Sequence, residues 1–256
     1  MQRLAFILSL SLCFFAGVVA FADGPPQYVS PGIMVMSPAQ DLIYIGAQTA
    51  NKVLVFDLAG KVVAREIPVS AAPTGLALSS DGALLIATLA GAPGKVVFLT
   101  AGDGGVLKEI PAGHTPMAPV CTADGKTLFI CNRFDGTVAR IDVETGATAA
   151  TIAVGREPVA AALSSDGALL LVVHQLPGGP ADGAYSAATV GIVDTAANAL
   201  VKTLQLPNGS SSLREIAISP DGRFAYVTHV LSRYQLPTTQ LERGWMNTNA
   251  FTVIDV

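Results

Sequence analysis

The heptapeptide SSDGALL occurs twice in this chain, at Ser79–Leu85 and at Ser164–Leu170, 85 residues apart. Variants of it are TADGKTL at Thr122–Leu128, SPDGRFA at Ser219–Ala225 and the degenerate SPAQDLI at Ser37–Ile43. The aspartates of the four clear copies follow one another after 43, 42 and 55 residues, so that 85 residues is two periods. Recurrence at this spacing is typical of stacked supersecondary units.

Each unit has the same internal order. An apolar run leads into the Ser-x-Asp-Gly motif, and a second apolar run, a polar spacer, a third run that usually ends in Asp, and a fourth run follow. Glycine adopts the positive φ of a tight hairpin, and the aspartate side chain can bind nearby backbone N–H groups. We therefore interpret Asp81, Asp124, Asp166 and Asp221 as turn formers, with calcium ligation as the alternative. Each unit is predicted to be a four-stranded antiparallel sheet.

The strands next to these turns are apolar on both faces, as in the run Ala168–Val173. Hydrophobic residues make up 51% of the chain and charged residues 13%, with frequent Gly and Pro. Such strands suit small sheets that are covered on both sides by neighbouring sheets around an axis. The sequence predicts an all-β fold, a β-propeller of four-stranded antiparallel blades. Five blades are expected, beginning near residues 31, 74, 117, 159 and 213, and the last stops at its third strand.

The repeats SPDGRFAYVTH and TADGKTLFICNRFDGTVARIDVETGATAATIAVGREP resemble those of the YVTN family of exported bacterial propellers. The resemblance extends from Pro31 to Val256. It implies an architecture similar to the haem d1 domain of nitrite reductase and to lactonase-type propellers. Because that family typically has seven blades, the resemblance implies that the five blades here belong to an incomplete seven-bladed propeller. The alternative is that five blades close on themselves with an incomplete last one.

The N-terminus is predicted to be a signal peptide, residues 1–22, so that residues 23–256 form the mature propeller. Arg3 precedes an apolar run, Leu4–Val19, and a small-x-small pattern that ends at Ala22. A lipoprotein anchored at Cys13 is the alternative. We expect a periplasmic or extracellular protein with no membrane span in the mature chain. The net charge of -4 argues against a nucleic-acid partner.

Cys121 and Cys131 remain in the mature chain. In a hairpin around Asp124-Gly125, Cys121 is expected opposite about Leu128 and Cys131 opposite about Ala118. This arrangement separates the two thiols along the ladder and places them on opposite faces of the sheet. Two buried, unbridged thiols are therefore predicted.

Two connections between the second and third strands are enlarged, at residues 175–188 and 230–249. They lie on the face of the propeller opposite the Ser-x-Asp-Gly turns. Each follows a histidine at the same structural position, His174 or His229. Two imidazoles reaching inward could share a metal ion or face a haem. The alternative is that each ring is a hydrogen-bonded anchor for its long connection.

The connection at 175–188 is rich in Gly and Pro and has little recognition chemistry. The one at 230–249 is instead dense in aromatic, charged and amide side chains, a composition typical of interface hot spots. The predicted partner-binding residues are Arg233, Tyr234, Gln240, Glu242, Arg243, Trp245 and Asn247. Alternatively, Trp245 folds back onto its blade.

Two connections between blades on the same face contain further candidates, His114 and Arg156. These side chains could line the mouth of the channel, or they could simply be solvated.

The connection at 230–249 also resembles that of propeller modules fused to c-type cytochromes of the di-haem, MauG-like peroxidase group. No CxxCH motif occurs in the chain, so no cofactor is expected within it. The resemblance implies haem c in a domain beyond Val256. The predicted function is an exported binding or scaffold module that docks a protein or a c-type cytochrome domain through 175–188 and 230–249. Part of a redox enzyme, as a cytochrome c peroxidase-like fusion, and a lactonase-like hydrolase are the alternatives. No catalytic motif was found for hydrolysis.

Overall fold

Short antiparallel strands make up the regular structure of the chain. The computed structural model describes residues 28–180, 182–233 and 246–256, which contain strands and no helix. The strands are β1 (Pro31–Met36), β2 (Leu42–Ala47), β3 (Lys52–Asp57), β4 (Val62–Pro68), β5 (Pro73–Leu78), β6 (Leu84–Leu89), β7 (Lys95–Thr100), β8 (Val106–Pro111), β9 (Pro116–Cys121), β10 (Thr127–Asn132), β11 (Thr137–Asp142), β12 (Thr148–Ala153), β13 (Pro158–Leu163), β14 (Leu169–His174), β15 (Thr189–Asp194), β16 (Ala199–Gln205), β17 (Ser210–Ile218), β18 (Phe224–Ser232) and β19 (Asn247–Asp255). Within these ranges no helix is long and apolar enough to cross a membrane.

The strands form five sheets in chain order. Four sheets have four strands, β1–β4, β5–β8, β9–β12 and β13–β16, and the fifth consists of β17–β19. The first strands of successive sheets, β1, β5, β9, β13 and β17, contact one another, which places them nearest the axis. The predicted all-β propeller with five antiparallel blades is thereby confirmed. The remaining blades of a seven-bladed propeller stay a prediction, and the signal peptide lies outside the described residues.

The Ser-x-Asp-Gly motifs close the hairpins between first and second strands. At the first clear copy, the Ser79 hydroxyl accepts the N–H of Leu84 at 2.9 Å, and the Asp81 carboxylate accepts the N–H of Ala83 at 3.0 Å. Gly82 has a φ of 72°, a backbone conformation that suits glycine. The same carboxylate contact recurs at Asp124, Asp166 and Asp221. These aspartates form the turns, as the sequence predicted.

The apolar core is divided among the spaces between neighbouring blades. Tyr44 and Val55 of the first blade pack against Leu85 and Val97 of the second. Equivalent clusters lie between the second and third, third and fourth, and fourth and fifth blades. The middle blades therefore bury both faces.

The two terminal blades differ from the middle ones on their outer sides. Met34 of the first blade is 70% exposed and Phe251 of the fifth blade is 67% exposed. Val190, the counterpart of Phe251 in the fourth blade, is fully buried, and Leu76, the counterpart of Met34 in the second blade, is partly buried. Only one face of each terminal blade is therefore covered by a described neighbour.

The two cysteines lie on adjacent strands of the third blade. Cys121 pairs with Leu128 as predicted, but Cys131 pairs with Met117 rather than Ala118. The register shifts in β9, where Ala118 has a φ of 46°, and such a bulge moves all later pairs along by one residue. Both thiols are free, and Cys131 is buried. Cys121 is half-buried, so the prediction of full burial was wrong for this residue.

Candidate functional site

The long connections meet on one side of the propeller, which we call the loop face. It comprises the connections between second and third strands and those between blades. Hydrogen bonds join the two kinds of connection, as when the N–H of Arg133 donates to the carbonyl of Thr115 and that of Gln175 donates to the carbonyl of Glu157. The opposite side, the turn face, contains the hairpin turns. The enlarged connection at 175–188 belongs to the loop face.

His174 ends β14 and is 2% exposed. Its Nδ1 lies 3.1 Å from the carbonyl oxygen and 3.0 Å from the Oγ1 of Thr189, directly across the ladder. Its Nε2 is buried without a hydrogen bond. A Cβ at Gly155 would lie 3.3 Å from Nε2, and one at Gly191 would lie 3.3 Å from Cε1. The ring therefore fits between two glycines that leave room for it.

Burial is the main influence on the protonation of His174 and lowers its pKa below the ordinary value of 6.5. The backbone carbonyls of Thr189 and Val154 act in the opposite direction and more weakly. The Val154 carbonyl is near enough to favour a protonated ring, although it does not complete a hydrogen bond to Nε2. A neutral imidazole is the form that this environment favours.

His229 occupies the corresponding position in β18 and is 6% exposed. Its Nε2 lies 3.0 Å from the Oγ1 of Thr252 in β19, and its Nδ1 lies 3.3 Å from the carbonyl of Val230. Each histidine thus bonds to the third strand of its own blade, which supports the anchoring interpretation. Among the described residues no group of three or more His, Cys, Asp or Glu side chains could hold a metal ion. A shared ligand of the two imidazoles stays a prediction.

His229 also borders a cavity of about 470 Å³ on the fifth blade. Arg214, Thr228, Asn249 and Phe251 contribute to its walls. The cavity is open, and it mixes apolar surface with a guanidinium, an amide and a hydroxyl group. It lies beside the base of the enlarged connection 230–249.

The structure describes two of the seven residues predicted to bind a partner, Arg233 and Asn247. β18 continues to Ser232 and β19 begins at Asn247, so residues 230–232 and 247–249, predicted to belong to the connection, are paired strand residues. Arg233 follows β18, Asn247 begins β19, and both are exposed. The N–H of Arg233 donates to the carbonyl of Met246 at 2.7 Å, and Asn247 pairs with Ser232. The other five, Tyr234, Gln240, Glu242, Arg243 and Trp245, lie outside the described residues.

The connection at 175–188 is tied down at its C-terminal half. The Tyr185 hydroxyl donates to the carbonyl of Leu206 at 2.7 Å. The Asn208 side chain accepts the N–H of Ser186 at 2.9 Å and donates to the carbonyl of Ala184 at 3.1 Å. Since Tyr185 is still 50% exposed, this segment presents a fixed aromatic ring and has more recognition chemistry than its Gly-Pro composition indicated.

A second group on the loop face was missed at the sequence level. Phe134, in the short connection after β10, is 51% exposed. The ring of His114 lies 4.9 Å from its ring, centroid to centroid, at an interplanar angle of 52°. The guanidinium of Arg133 lies 4.7 Å from the same centroid. An exposed ring is thus in contact with two other side chains.

Ion pairs extend this group to the next blade. Nη2 of Arg133 lies 3.0 Å from Oε2 of Glu157 and also donates to the side chain of Gln175. Arg156 lies 3.7 Å from the other oxygen of Glu157, and its side chain is 56% exposed. We call His114, Arg133, Phe134, Arg156 and Glu157 the loop-face cluster. His114 and Arg156 were candidates for this face from the sequence; the others follow only from the three-dimensional packing.

The fold of this chain is similar to that of solved protein structures. No family model and no curated protein matches the chain. Among solved structures, hydrazine synthase of Kuenenia stuttgartiensis is similar at a TM-score of 0.81 and 24% identity, over 93% of this chain and 66% of that one. A protein of Desulfotomaculum acetoxidans DSM 771, described as functionally unknown, is similar at a TM-score of 0.64 and 14% identity, over 77% of this chain and 63% of that one. The chain spans about two thirds of these structures, and at these identities the likeness shows a β-propeller fold.

Proposed function

We propose that this chain is an exported β-propeller of the YVTN type that acts as a binding module and docks a protein through its loop face. The partner in this proposal is a c-type cytochrome domain, either in the same polypeptide or separate. One observation supports the docking role most directly, namely the difference between the two faces. The turn face consists of short, repeated hairpins, whereas the loop face has enlarged connections with exposed aromatic and arginine side chains.

The chemistry of the described residues favours binding over catalysis by the chain itself. The two histidines at the enlarged connections are buried and bonded to their own blades. Exposed Phe134 and Tyr185 are of the residue types that dominate interface energetics. The solved neighbour named hydrazine synthase provides a precedent for this fold within an enzyme.

In-cell cross-linking tests the partner. The natural host would express the full protein with an affinity tag, cells would be treated with a short amine-reactive cross-linker, and purified complexes would be stained for covalent haem after denaturing electrophoresis. We expect a haem-stained band that contains this chain. A matched sample without cross-linker shows whether the haem lies in the same polypeptide. Absence of haem from every species that contains the chain would refute the cytochrome partner.

Fractionation of the same cells tests export. The protein is expected in the periplasmic or extracellular fraction, with an N-terminus at Asp23. Recovery in the cytoplasm with Met1 intact would contradict this part of the proposal.

A further inference from the structure

The loop-face cluster has the properties of a preformed anchor. Phe134 exposes half of its surface, yet both His114 and Arg133 contact its ring. Arg133 is itself fixed by Glu157 and Gln175. A side chain that is already ordered loses little conformational entropy when a partner covers it. Exposed aromatic residues beside arginine are common among interface hot spots.

Charge is unequally distributed between the two faces. Three basic residues, Lys61, Lys126 and Arg223, belong to the turns of the turn face, and the cationic groups of Arg65 and Lys108 donate to carbonyls of two further turns. The carboxylates in or just before these turns are far more numerous: Asp41, Asp57, Asp81, Asp103, Asp124, Asp142, Glu144, Asp166, Asp194 and Asp221. Hydrogen bonds from Ser79 and the Ala83 N–H lower the pKa of Asp81, and similar bonds act at Asp103 and Asp166. The carboxylates of Asp81, Asp103 and Asp166 therefore stay charged to a lower pH than an ordinary aspartate, because their pKa values are lowered.

The described connections of the loop face contain three arginines, Arg133, Arg156 and Arg233, and three carboxylates. Two of these carboxylates are engaged, since Asp135 accepts the N–H of His114 at 2.7 Å and Glu157 pairs with Arg133. Arg156 makes a 3.7 Å ion pair with Glu157 and donates from Nη1 to the carbonyl of Pro177 at 3.4 Å, and its side chain remains 56% exposed. An acidic partner is repelled by the turn face and meets a cationic group beside an aromatic ring on the loop face.

We infer that the loop-face cluster is the anchor of the partner-docking surface, and that it recognises an acidic protein surface in which an apolar side chain covers Phe134 and a carboxylate pairs with Arg156. This inference rests on the proposed docking function and adds a location and a charge for the partner. It does not depend on whether the partner holds haem.

A peptide titration tests the inference directly. The probe is a fluorescein-labelled peptide of sequence EEEELFEEEE, measured by fluorescence anisotropy against the exported chain at about 20 mM salt, where the screening length is long. Phe134→Ala and Arg156→Glu are each expected to weaken binding by about five-fold or more, as loss of an anchor does. Phe134→Tyr should restore most of the affinity.

Two control variants match these changes away from the cluster. Leu107→Ala removes an exposed apolar side chain from β8, and Lys61→Glu reverses a charge on the turn face. Both should bind the acidic peptide within about two-fold of the unmodified chain. The inference would be overturned if the controls weakened binding as much as Phe134→Ala and Arg156→Glu do, or if these two variants bound the peptide unchanged. It would also be overturned if the unmodified chain did not bind the peptide. Circular dichroism of every variant verifies the fold.

The cross-linking experiment separates this inference from the proposed function. If the haem belongs to a separate polypeptide and cross-links to the chain equally in the unmodified protein and in Phe134→Ala, the cytochrome partner stands and the anchor is wrong. If the acidic peptide depends on Phe134 and Arg156 while no haem is captured, the anchor stands and the cytochrome partner is wrong.

Discussion

Acidification should destabilise this propeller through His174. The ring is 2% exposed, and burial lowers its pKa below 6.5. In the unfolded chain the same ring takes up a proton as the pH falls through its ordinary value. Between that value and the lower folded pKa, the unfolded state binds more protons, so the free energy of unfolding decreases as the pH falls. Below the folded pKa the loss levels off, because both states are then protonated.

The size of the effect follows from the linkage relation. If the folded ring stays neutral, the free energy of unfolding falls by about 1.4 kcal/mol between about pH 7.5 and 5.5 because of His174 alone. The buried Nε2 has no hydrogen bond, so protonation would place an uncompensated charge between Gly155 and Gly191. The carboxylates of the turns have lowered pKa values and so contribute less in this interval.

The assay is urea unfolding, followed by far-UV circular dichroism, of the unmodified chain and of His174→Gln across this pH range. Glutamine can still donate a hydrogen bond to Thr189 but cannot titrate. The quantity compared between the two proteins is the slope of the free energy of unfolding against pH, and not the absolute stability of His174→Gln. We expect the unmodified chain to lose more stability than His174→Gln on acidification, by up to about 1.4 kcal/mol. Equal slopes, or a stability that rises on acidification, would refute the argument.

The same proteins test the alternative that His174 and His229 bind a metal. A shared metal would raise the melting temperature of the unmodified chain on addition of Zn²⁺, and the increase would disappear in both His174→Gln and His229→Gln. If both rings are only buried anchors, Zn²⁺ should not change the melting temperature of the unmodified chain, His174→Gln or His229→Gln.

Three further predictions follow from packing. Cys131 should resist iodoacetamide in the folded protein, because burial raises the pKa of its thiol to about 12. Cys121 is only half-buried and should react slowly. The prediction would be contradicted if mass mapping showed that Cys131 is alkylated first. Gly75→Ala should lower the free energy of unfolding by about 1–3 kcal/mol, since its Cβ would lie 2.9 Å from the backbone nitrogen of Ala118; an unchanged urea midpoint would disprove the clash. Phe129→Ala should cost about 3–5 kcal/mol, because this side chain is 2% exposed between the third and fourth blades; a loss below about 1 kcal/mol in the same assay would mean that the core relaxes around the cavity.

The repeated turns made the fold predictable from the sequence. Ser79, Asp81 and Gly82 each have a local task in the hairpin, namely accepting an N–H, bonding the turn and adopting positive φ. Local interactions of this kind can be recognised from the sequence alone. The spacing at which the turn motif recurs then indicates the blades. The register shift at Ala118 was not readable from the hairpin turn, which fixes only the pairs next to it, although a shift between first and second strands occurs in every described blade.

The candidate site was only partly predictable for the same reason. Loop lengths placed His174 and His229 at equivalent positions, but their partners Thr189 and Thr252 lie across the ladder, where register decides the contact. Phe134 stands in a connection of ordinary length. Its place in the loop-face cluster depends on contacts with residues from other segments of the chain. Arg133 is the exception, since it is adjacent to Phe134 in the sequence.

The division of the apolar core into separate clusters between adjacent blades has a thermodynamic consequence. In such an array each sheet is stabilised by its immediate neighbours, so the energetics approximate a one-dimensional nearest-neighbour chain. The second, third and fourth sheets each have two stabilising contacts, while the outer pair have one described contact apiece. Among the described sheets, amide protons in the second, third and fourth should therefore exchange with deuterium more slowly than those in the first and fifth.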